Sequence, residues 1–286
     1  MKFRTLSGSP DIDAYLDEVR ATPTGQAFGD KVIYTTLFGH SDTPKQPARA
    51  QPGWDLVCLT DRRDLAFGAW TPVFIDRLHR DPRRTARLFK ILPWVVFPEV
   101  EQSLFLDASI RITGSVDEFI GRYCARADLS CLAHPTRDCT YVEAQECIKR
   151  GKEEARTVET QMASYRRQGF PADAGLIASG VILRRHASEG MRALMMRWAA
   201  EVESHSARDQ LSFNYSAWVT GTPYNSIPMN IFDNQYFEVV PHARVQRFDR
   251  EGRDAVGFRE KAGHWILKTK FYARRSLKRL RELIRT

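Results

Sequence analysis

Two carboxylates in this sequence stand at positions where a folded chain can use them for chemistry. Asp107 directly follows the apolar run SLFL, and Asp209 lies beside Gln210 at the start of a predicted helix. A carboxylate held at the end of a strand can bind a divalent cation and leave coordination positions for phosphate oxygens. Open α/β sheets bind ligands beyond the carboxyl ends of their strands. We therefore predict that Asp107 binds a metal and that Asp209 and Gln210 orient a hydroxylated ligand.

Each carboxylate also has a structural alternative. An aspartate after a strand commonly caps the turn that follows it. An aspartate at the start of a helix commonly caps that helix. The local sequence does not decide between these roles and a functional one, so both alternatives stay open here.

A basic helix is predicted immediately before the Asp107 strand. Asp81 and Pro82 are typical of a helix start, and Arg87 and Lys90 follow one helical turn apart. Both side chains can therefore point toward the same strand ends, where they would bind a diphosphate. The alternative is a solvated basic face, which is the commoner use of such a pattern.

Other polar residues are weaker candidates. His134 and Arg137 belong to the polar segment HPTRDCTYVEA after a predicted strand, and we expect them to help recognise a ligand. His264 is a candidate late metal ligand, although a lone histidine beside a tryptophan is more often structural. The five cysteines contain no CxxC pair, which favours free thiols over a zinc site.

Several apolar, β-branched runs that end in polar loops predict the elements that position these residues. They favour an α/β fold with a mixed, mainly parallel sheet flanked by helices. We expect an N-terminal helix and linker over residues 1–30, the α/β domain over 31–245 and a C-terminal extension over 246–286. The predicted strands are 31–37, 54–60, 103–112, 129–133 and 179–183.

Composition limits the class of protein. With 43% hydrophobic and 27% charged residues, the chain is expected to fold. It has neither the apolar run of a signal peptide nor the roughly 20 apolar residues of a membrane span, so we expect a cytoplasmic protein.

Charge is concentrated at the C-terminus. The net charge is +8, and residues 268–286 carry +7 of it, so the rest of the chain is nearly neutral. A nearly neutral body argues against nucleic-acid binding. The basic tail also has an apolar helical face, which predicts peripheral contact with the inner face of a membrane.

Several uncommon strings occur in one order between Lys31 and Trp218, which is most of the chain. Together they resemble a glycosyltransferase domain family that was formerly a domain of unknown function, with members in bacterial polysaccharide gene sets and in plant proteins linked to pectin and mucilage. The strings are VIYTTLFGHSD, CLTD, DPRRTARLFKILPWVVFP, SLFLDASI, HPTRDCTYVEA, QMASYRRQGFP and SARDQLSFNY.

That family is distantly similar to the family 8 glycosyltransferases, which have a GT-A fold, use a nucleotide sugar and usually bind manganese. The resemblance implies that Lys90 contacts phosphate and that Asp209 and Gln210 form the DQ pair near the transferred sugar. It also implies that Asp107 and Ser109 are the first and third positions of a metal-binding DxD motif. Because serine is a weaker ligand than aspartate, His264 is a candidate to complete the metal site.

The resemblance implies a donor site as well. The residues expected around the nucleotide and the donor sugar are Thr35, Thr36, Phe38, Asp61, Arg87, Ser179 and Gly180, with His134 and Arg137 as further donor or acceptor contacts.

The predicted function is therefore glycosyl transfer from a nucleotide sugar to a glycan or polysaccharide acceptor, assisted by Mn²⁺ or Mg²⁺. One alternative is a nucleotide-sugar-binding protein of the same fold without turnover, which the DAS variant of the motif suggests. Another is a scaffold at a membrane surface, which the basic tail suggests.

Overall fold

The apolar runs form the strands of a computed structural model of the chain. The structure describes residues 12–21, 26–39, 42–125 and 127–240, together with the backbone of two short strands at 245–248 and 254–257. His264 and the basic tail at 268–286 lie outside the described residues, so the predictions that concern them are not examined by this structure.

A seven-stranded sheet forms the centre of the described chain, in the order β3-β2-β1-β4-β7-β6-β8. The pairs β1–β2, β1–β4, β2–β3 and β6–β8 are parallel, whereas β7 runs antiparallel to both of its neighbours. The predicted mixed, mainly parallel α/β sheet is confirmed. Its strands are β1 Lys31–Leu37, β2 Asp55–Thr60, β3 Thr71–Phe74, β4 Gln102–Leu106, β6 Leu129–Ala133, β7 Ile177–Arg185 and β8 Asn225–Ile227.

Two small two-stranded sheets accompany the main sheet. β5 pairs with β9, and β10 pairs with β11, both antiparallel. The predicted strand 103–112 is therefore divided, because the chain turns at 107–109 between β4 and β5. The bounds are β5 Ile110–Ile112, β9 Phe237–Val239, β10 Val245–Phe248 and β11 Asp254–Gly257.

Helices cover both faces of the main sheet. Apolar residues of α1, α2, α6 and α7 share one buried core with β1 and β7, and α3 with β9 packs against the other face. A third apolar cluster joins α4, α5 and α7. Among the described helices, none is long and apolar enough to cross a membrane. The helices are α1 Ile12–Ala21, α2 Pro82–Ile91, α3 Val116–Tyr123, α4 Thr140–Lys149, α5 Ala155–Arg167, α6 Glu189–Ser204 and α7 Gln210–Thr220.

Local chemistry fixes both ends of α2. The Asp81 carboxylate accepts a hydrogen bond from the Arg83 amide, and Pro82 occupies the first turn, as predicted from the sequence. The helix ends at Ile91, shortly before Pro93 starts a single 3-10 turn. Leu88 and Phe89 are fully buried in the core between the helices and the sheet. These constraints bring the last two turns of α2 to the carboxyl edge of β4.

A bulge in β7 changes which residues face α2. Cys131 of β6 pairs with Ile182, but the next residue of β6 pairs with Ala178, so the residues from Ser179 to Val181 are extra. Because strand side chains alternate between faces, this odd insertion reverses the alternation. Ile177 and Ile182 consequently lie in the same core although they are five positions apart.

The buried His186 at the end of β7 predicts a pH-dependent stability. Burial, aided by the charges of Arg184 and Arg192, lowers the His186 pKa to about 4. The folded pKa thus lies below the unfolded value of about 6.5, so the stabilisation is complete above that pH and is lost as the pH falls toward 4. Between pH 7 and pH 4.5 the wild type should lose about 2 kcal/mol more stability than His186→Gln. Urea unfolding at both pH values measures the difference, and equal losses would contradict it.

Candidate active site

Four charged side chains from three elements meet at the carboxyl edge of the sheet. Lys90 Nζ lies 2.6 Å from Asp209 Oδ2 and 3.5 Å from Asp107 Oδ1. Arg87 reaches the same two carboxylates, with Nη1 3.4 Å from Asp107 Oδ1 and Nε 3.3 Å from Asp209 Oδ1. The predicted convergence of the basic helix and the two carboxylates is therefore present in the structure.

Burial divides these four residues into two layers. The Lys90 side chain is fully buried and that of Asp209 is 3% exposed, whereas Asp107 is 33% and Arg87 is 19% exposed. Lys90 also lies 4.8 Å from the ring centroid of Phe105. Lys90 and Asp209 therefore form an inner ion pair, while Asp107 and Arg87 form the outer layer that a ligand can reach.

The bulged segment of β7 completes the inner layer. Ser179 Oγ accepts a hydrogen bond from Lys90 Nζ at 3.1 Å and donates one to Asp209 Oδ2 at 3.1 Å. The Gly180 carbonyl accepts the Asp107 amide at 2.9 Å. A Cβ at Gly180 would lie 3.3 Å from Asp107 Oδ2 and 3.0 Å from the Ile110 side chain. A larger residue at this position would require these two side chains to shift by a few tenths of an ångström.

The charges of the inner layer hold Asp209 ionised. Burial by itself raises the pKa of Asp209, but the neighbouring cations Arg87 and Lys90 outweigh it and keep the pKa below its ordinary value. Burial lowers the pKa of Lys90, and the carboxylates of Asp107 and Asp209 oppose that effect. Asp209 is therefore a fixed anion at neutral pH rather than a group poised to take up a proton.

A cavity of about 200 Å³ opens in front of this layer. It is lined by Arg87, Asp107, Ser109, Ser179, Gly180, Arg208, Asp209 and Gln210, with apolar residues such as Ile110 and Ile231 between them. Two buried nitrogens of its lining residues lack a hydrogen-bond acceptor, namely Arg208 Nε and Gln210 Nε2. Since buried donors are normally satisfied, the cavity is suited to a ligand rich in acceptor oxygens.

Arg208 is a cavity residue to which the sequence analysis assigned no role of its own. It lines the cavity beside Asp209 and contributes a second guanidinium to it, after Arg87. Burial lowers its pKa, but interactions with Cys147 and with the carboxylates of Asp209 and Glu143 more than compensate and raise the pKa above its ordinary value. The signal was its position immediately before the Asp209-Gln210 pair.

The predicted nucleotide contacts at the ends of β1 and β2 lie outside the lining of this cavity. Phe38 is a core residue, 5% exposed and stacked on Phe89. Asp61 accepts the Gly39 amide at 3.0 Å and pairs with Arg77 at 2.7 Å. Asp61 therefore braces the loops that follow β1 and β2.

The two threonines of β1 are buried. Thr35 is 2% exposed and its hydroxyl has no hydrogen-bond partner, and Thr36 is 8% exposed. Neither lines the cavity.

His134 and Arg137 form a separate cluster around Glu143. Arg137 pairs with Glu143, and the His134 ring accepts the Arg137 amide at 3.0 Å through Nδ1. Burial lowers the His134 pKa to about 4 although Glu143 opposes it. Neither residue lines the cavity, so a role in ligand recognition stays a prediction.

Removing Lys90 should take away the shorter of the two ion pairs of the buried Asp209 carboxylate and leave Arg87 as the remaining partner. We expect Lys90→Met to lower the free energy of unfolding by about 3–5 kcal/mol. Adding Asp209→Asn in the same chain should recover a large part of that loss, because the buried charge is then removed. Urea unfolding measures both variants. Arg20→Met, which breaks the exposed pair with Asp17, is the control and should cost less than about 1 kcal/mol. Equal losses in the two single variants would contradict the buried pair.

Comparisons with known proteins agree on a family. The model of the family described as TOD1/MUCI70, glycosyltransferase-like domain, matches residues 57–244. The probable hexosyltransferase MUCI70 of Arabidopsis thaliana is 26% identical over 214 residues, which are 71% of this chain and 35% of that protein. The chain thus spans about a third of the length of this relative.

A solved structure is also similar in part. The apo structure of the WbbM bifunctional glycosyltransferase matches with a TM-score of 0.41 and 9% identity, over 72% of this chain and 39% of that one. Because the family model spans more than half of the sequence and includes Arg87, Asp107 and Asp209, this chain belongs to the TOD1/MUCI70 family of glycosyltransferase-like domains.

Proposed function

We propose that the chain transfers a sugar from a nucleotide-sugar donor to a glycan acceptor at the cavity beside Asp107. The observation that carries this proposal is the convergence of two carboxylates and two guanidinium groups on the lining of one cavity. Membership of a glycosyltransferase-like family supports it.

The cations of the cavity suit the leaving group of this reaction. Negative charge grows on the diphosphate as the bond to the sugar breaks, and preorganised donors at that position lower the barrier. Guanidinium groups bind phosphate oxygens with paired hydrogen bonds. Arg87 and Arg208 are the two arginines that line the cavity, so both are assigned to the diphosphate. Lys90, which is fully buried behind them, acts on the carboxylates instead.

A divalent cation at this site would be shared between the protein and the substrate. Asp107 and Ser109 both line the cavity, but the described residues contain no group of three or more His, Cys, Asp or Glu side chains that could hold a metal. Mg²⁺ and similar cations often use one or two carboxylates plus substrate phosphates. Asp107 and Ser109 would hold such an ion, and its charge would help stabilise the diphosphate.

Asp209 and Gln210 have different tasks in this proposal. One oxygen of Asp209 faces Arg87 and the other accepts from Lys90 and Ser179, so the carboxylate is occupied by the protein and keeps Arg87 directed at the cavity. Gln210 lines the cavity with an amide nitrogen that has no acceptor. Gln210 therefore carries the direct contact with the donor sugar.

The shared cation site predicts cooperative ligand binding. Mn²⁺ alone should raise the melting temperature little, whereas Mn²⁺ with a nucleoside diphosphate should raise it by more than the sum of the separate effects, because each ligand supplies contacts for the other. Thermal unfolding with a panel of nucleoside diphosphates measures this, and Asp107→Ala should remove the cooperativity. Full stabilisation by Mn²⁺ alone would show that the chain completes the metal site itself.

Loss of either carboxylate should strongly reduce the rate of transfer. We expect Asp107→Ala and Asp209→Ala each to lower kcat/KM by about 100-fold or more, in line with the loss of a preorganised charge in an active site. Asp64→Ala, which removes a 66% exposed carboxylate, is the matched control and should stay within about twofold. Product formation from a panel of nucleotide sugars is the assay.

Two outcomes of this assay would reject the proposal. Full activity in both site variants would show that these carboxylates do not serve the reaction. Tight binding of a nucleotide sugar by the wild type without transfer or hydrolysis would identify a binding protein of the same fold.

A further inference from the structure

A second buried cation lies behind the site. Arg184 of β7 has a relative exposure of 0%, and its guanidinium is enclosed by the core. Nη2 donates to the Lys90 carbonyl at 2.9 Å, Nη1 donates to Tyr34 Oη at 3.1 Å, and Nε donates to Met195 Sδ at 3.2 Å. Among the described residues, no carboxylate lies within ion-pair distance of Arg184. A guanidinium buried without a counter-anion is costly unless other polar groups compensate its charge.

The end of α2 supplies the missing negative partner. Lys90 is in the last turn of α2, where the carbonyl groups have no intrahelical donors left and the helix dipole is negative. Its carbonyl accepts from Arg184 and, at 2.7 Å, from Tyr34 Oη. Arg184 and Tyr34 therefore close the C-terminal end of the helix from the sheet below it.

The same strand thus holds both ends of Lys90. Ser179 of β7 accepts from the ammonium group, and Arg184 of β7 donates to the backbone carbonyl. Residues five apart in a regular strand face opposite sides, but the bulge at Ser179–Val181 turns both toward α2. The bulge therefore allows one strand to contact both the ammonium group and the backbone carbonyl of Lys90.

We propose that Arg184 is a positioning residue of the active site, which fixes the Lys90 backbone so that the Lys90 ammonium keeps Asp209 and Asp107 in place. Arg184 does not line the cavity, so it acts through Lys90 and not on the substrate. Its effect on turnover rests on the proposed function, whereas its effect on Lys90 does not.

Three variants separate this role from simple core packing. Arg184→Met keeps an unbranched side chain but loses the charge and all donors. Arg184→Lys keeps the charge with a different donor geometry, and Tyr34→Phe removes the other donor to the same carbonyl. Val202→Ala is the matched control, since Val202 is also 0% exposed in the same core but has an aliphatic side chain that cannot hydrogen-bond to Lys90.

Kinetics of the holoprotein with its donor and Mn²⁺ form the first readout. A displacement of catalytic groups by about 1 Å can reduce the rate about 100-fold. We expect Arg184→Met to lower kcat by about 10- to 100-fold while KM changes less than about threefold. Arg184→Lys and Tyr34→Phe should fall between this variant and the wild type. Val202→Ala should lower the melting temperature and leave kcat within about twofold.

The ammonium signal of Lys90 is the second readout, and it is independent of activity. In protein labelled with ¹⁵N-lysine, the fully buried ammonium should give a protected NMR signal, assigned by its absence in Lys90→Met. We expect this signal to shift or broaden in all three Arg184 and Tyr34 variants and to stay unchanged in Val202→Ala. If the wild type transfers no sugar, the proposed function fails, and this signal still decides the role of Arg184.

Two results would overturn the proposal. One is an Arg184→Met protein that loses stability like the control but keeps both kcat and the Lys90 signal. The other concerns an Arg184→Met protein that does not fold. In that case, unchanged kcat and an unchanged Lys90 signal in Arg184→Lys and Tyr34→Phe would overturn the proposal.

Discussion

The buried contact between Lys90 and Asp209 is the interaction on which the rest of the site depends. It joins the last turn of α2 to the start of α7 at a distance of 2.6 Å, with both side chains nearly excluded from water. A pair of this kind contributes little net stability compared with an apolar pair of similar size, but the loss of one partner is severe. The pair instead fixes the charge and position of its neighbours. With Lys90 in place, Asp209 is ionised and Arg87 lies between two carboxylates.

Three rigid elements converge on that pair, and each contributes a different constraint. The helix α2 brings Arg87 and Lys90, the strand β4 ends at Asp107, and the bulged strand β7 supplies Ser179 and a close backbone approach at Gly180. Sites on strands and helices hold their geometry better than sites on loops, because packing and ladder hydrogen bonds restrain every residue. The bulge in β7 contributes to the site, because it changes the direction of the side chains at the edge of the site.

The cavity differs from the inner layer behind it, in which the charged groups are paired with each other. Arg208 and Gln210 each have a buried nitrogen without an acceptor, although buried donors are costly to leave unpaired. Such donors lower the stability of the ligand-free chain and raise the affinity for a ligand that supplies oxygens. The inner layer is therefore built for rigidity, and the outer layer is built for binding.

Patterns within single segments were sufficient for much of the fold. Apolar runs predicted the strands β1, β2, β4 and β6, and Asp81 with Pro82 predicted the start of α2. Short strands such as β3 and β9 were missed, because three or four residues do not establish a period. The position of Asp107 at a strand end, and the placement of Arg87 and Lys90 one turn apart, also followed from local rules. The strings that resemble the family added the DQ pair.

By itself the sequence determined which residues carry charge, which faces are apolar and which family the chain resembles. Only the tertiary structure decided that Lys90 lies behind the carboxylates, that Phe38 is a core residue, that Arg208 lines the cavity and that Arg184 donates to the Lys90 carbonyl. The physical reason is that a lysine or arginine has the same local pattern whether it is solvated or buried. Its partners come from strands and helices far away in the chain, and their register, including the bulge in β7, is set by packing.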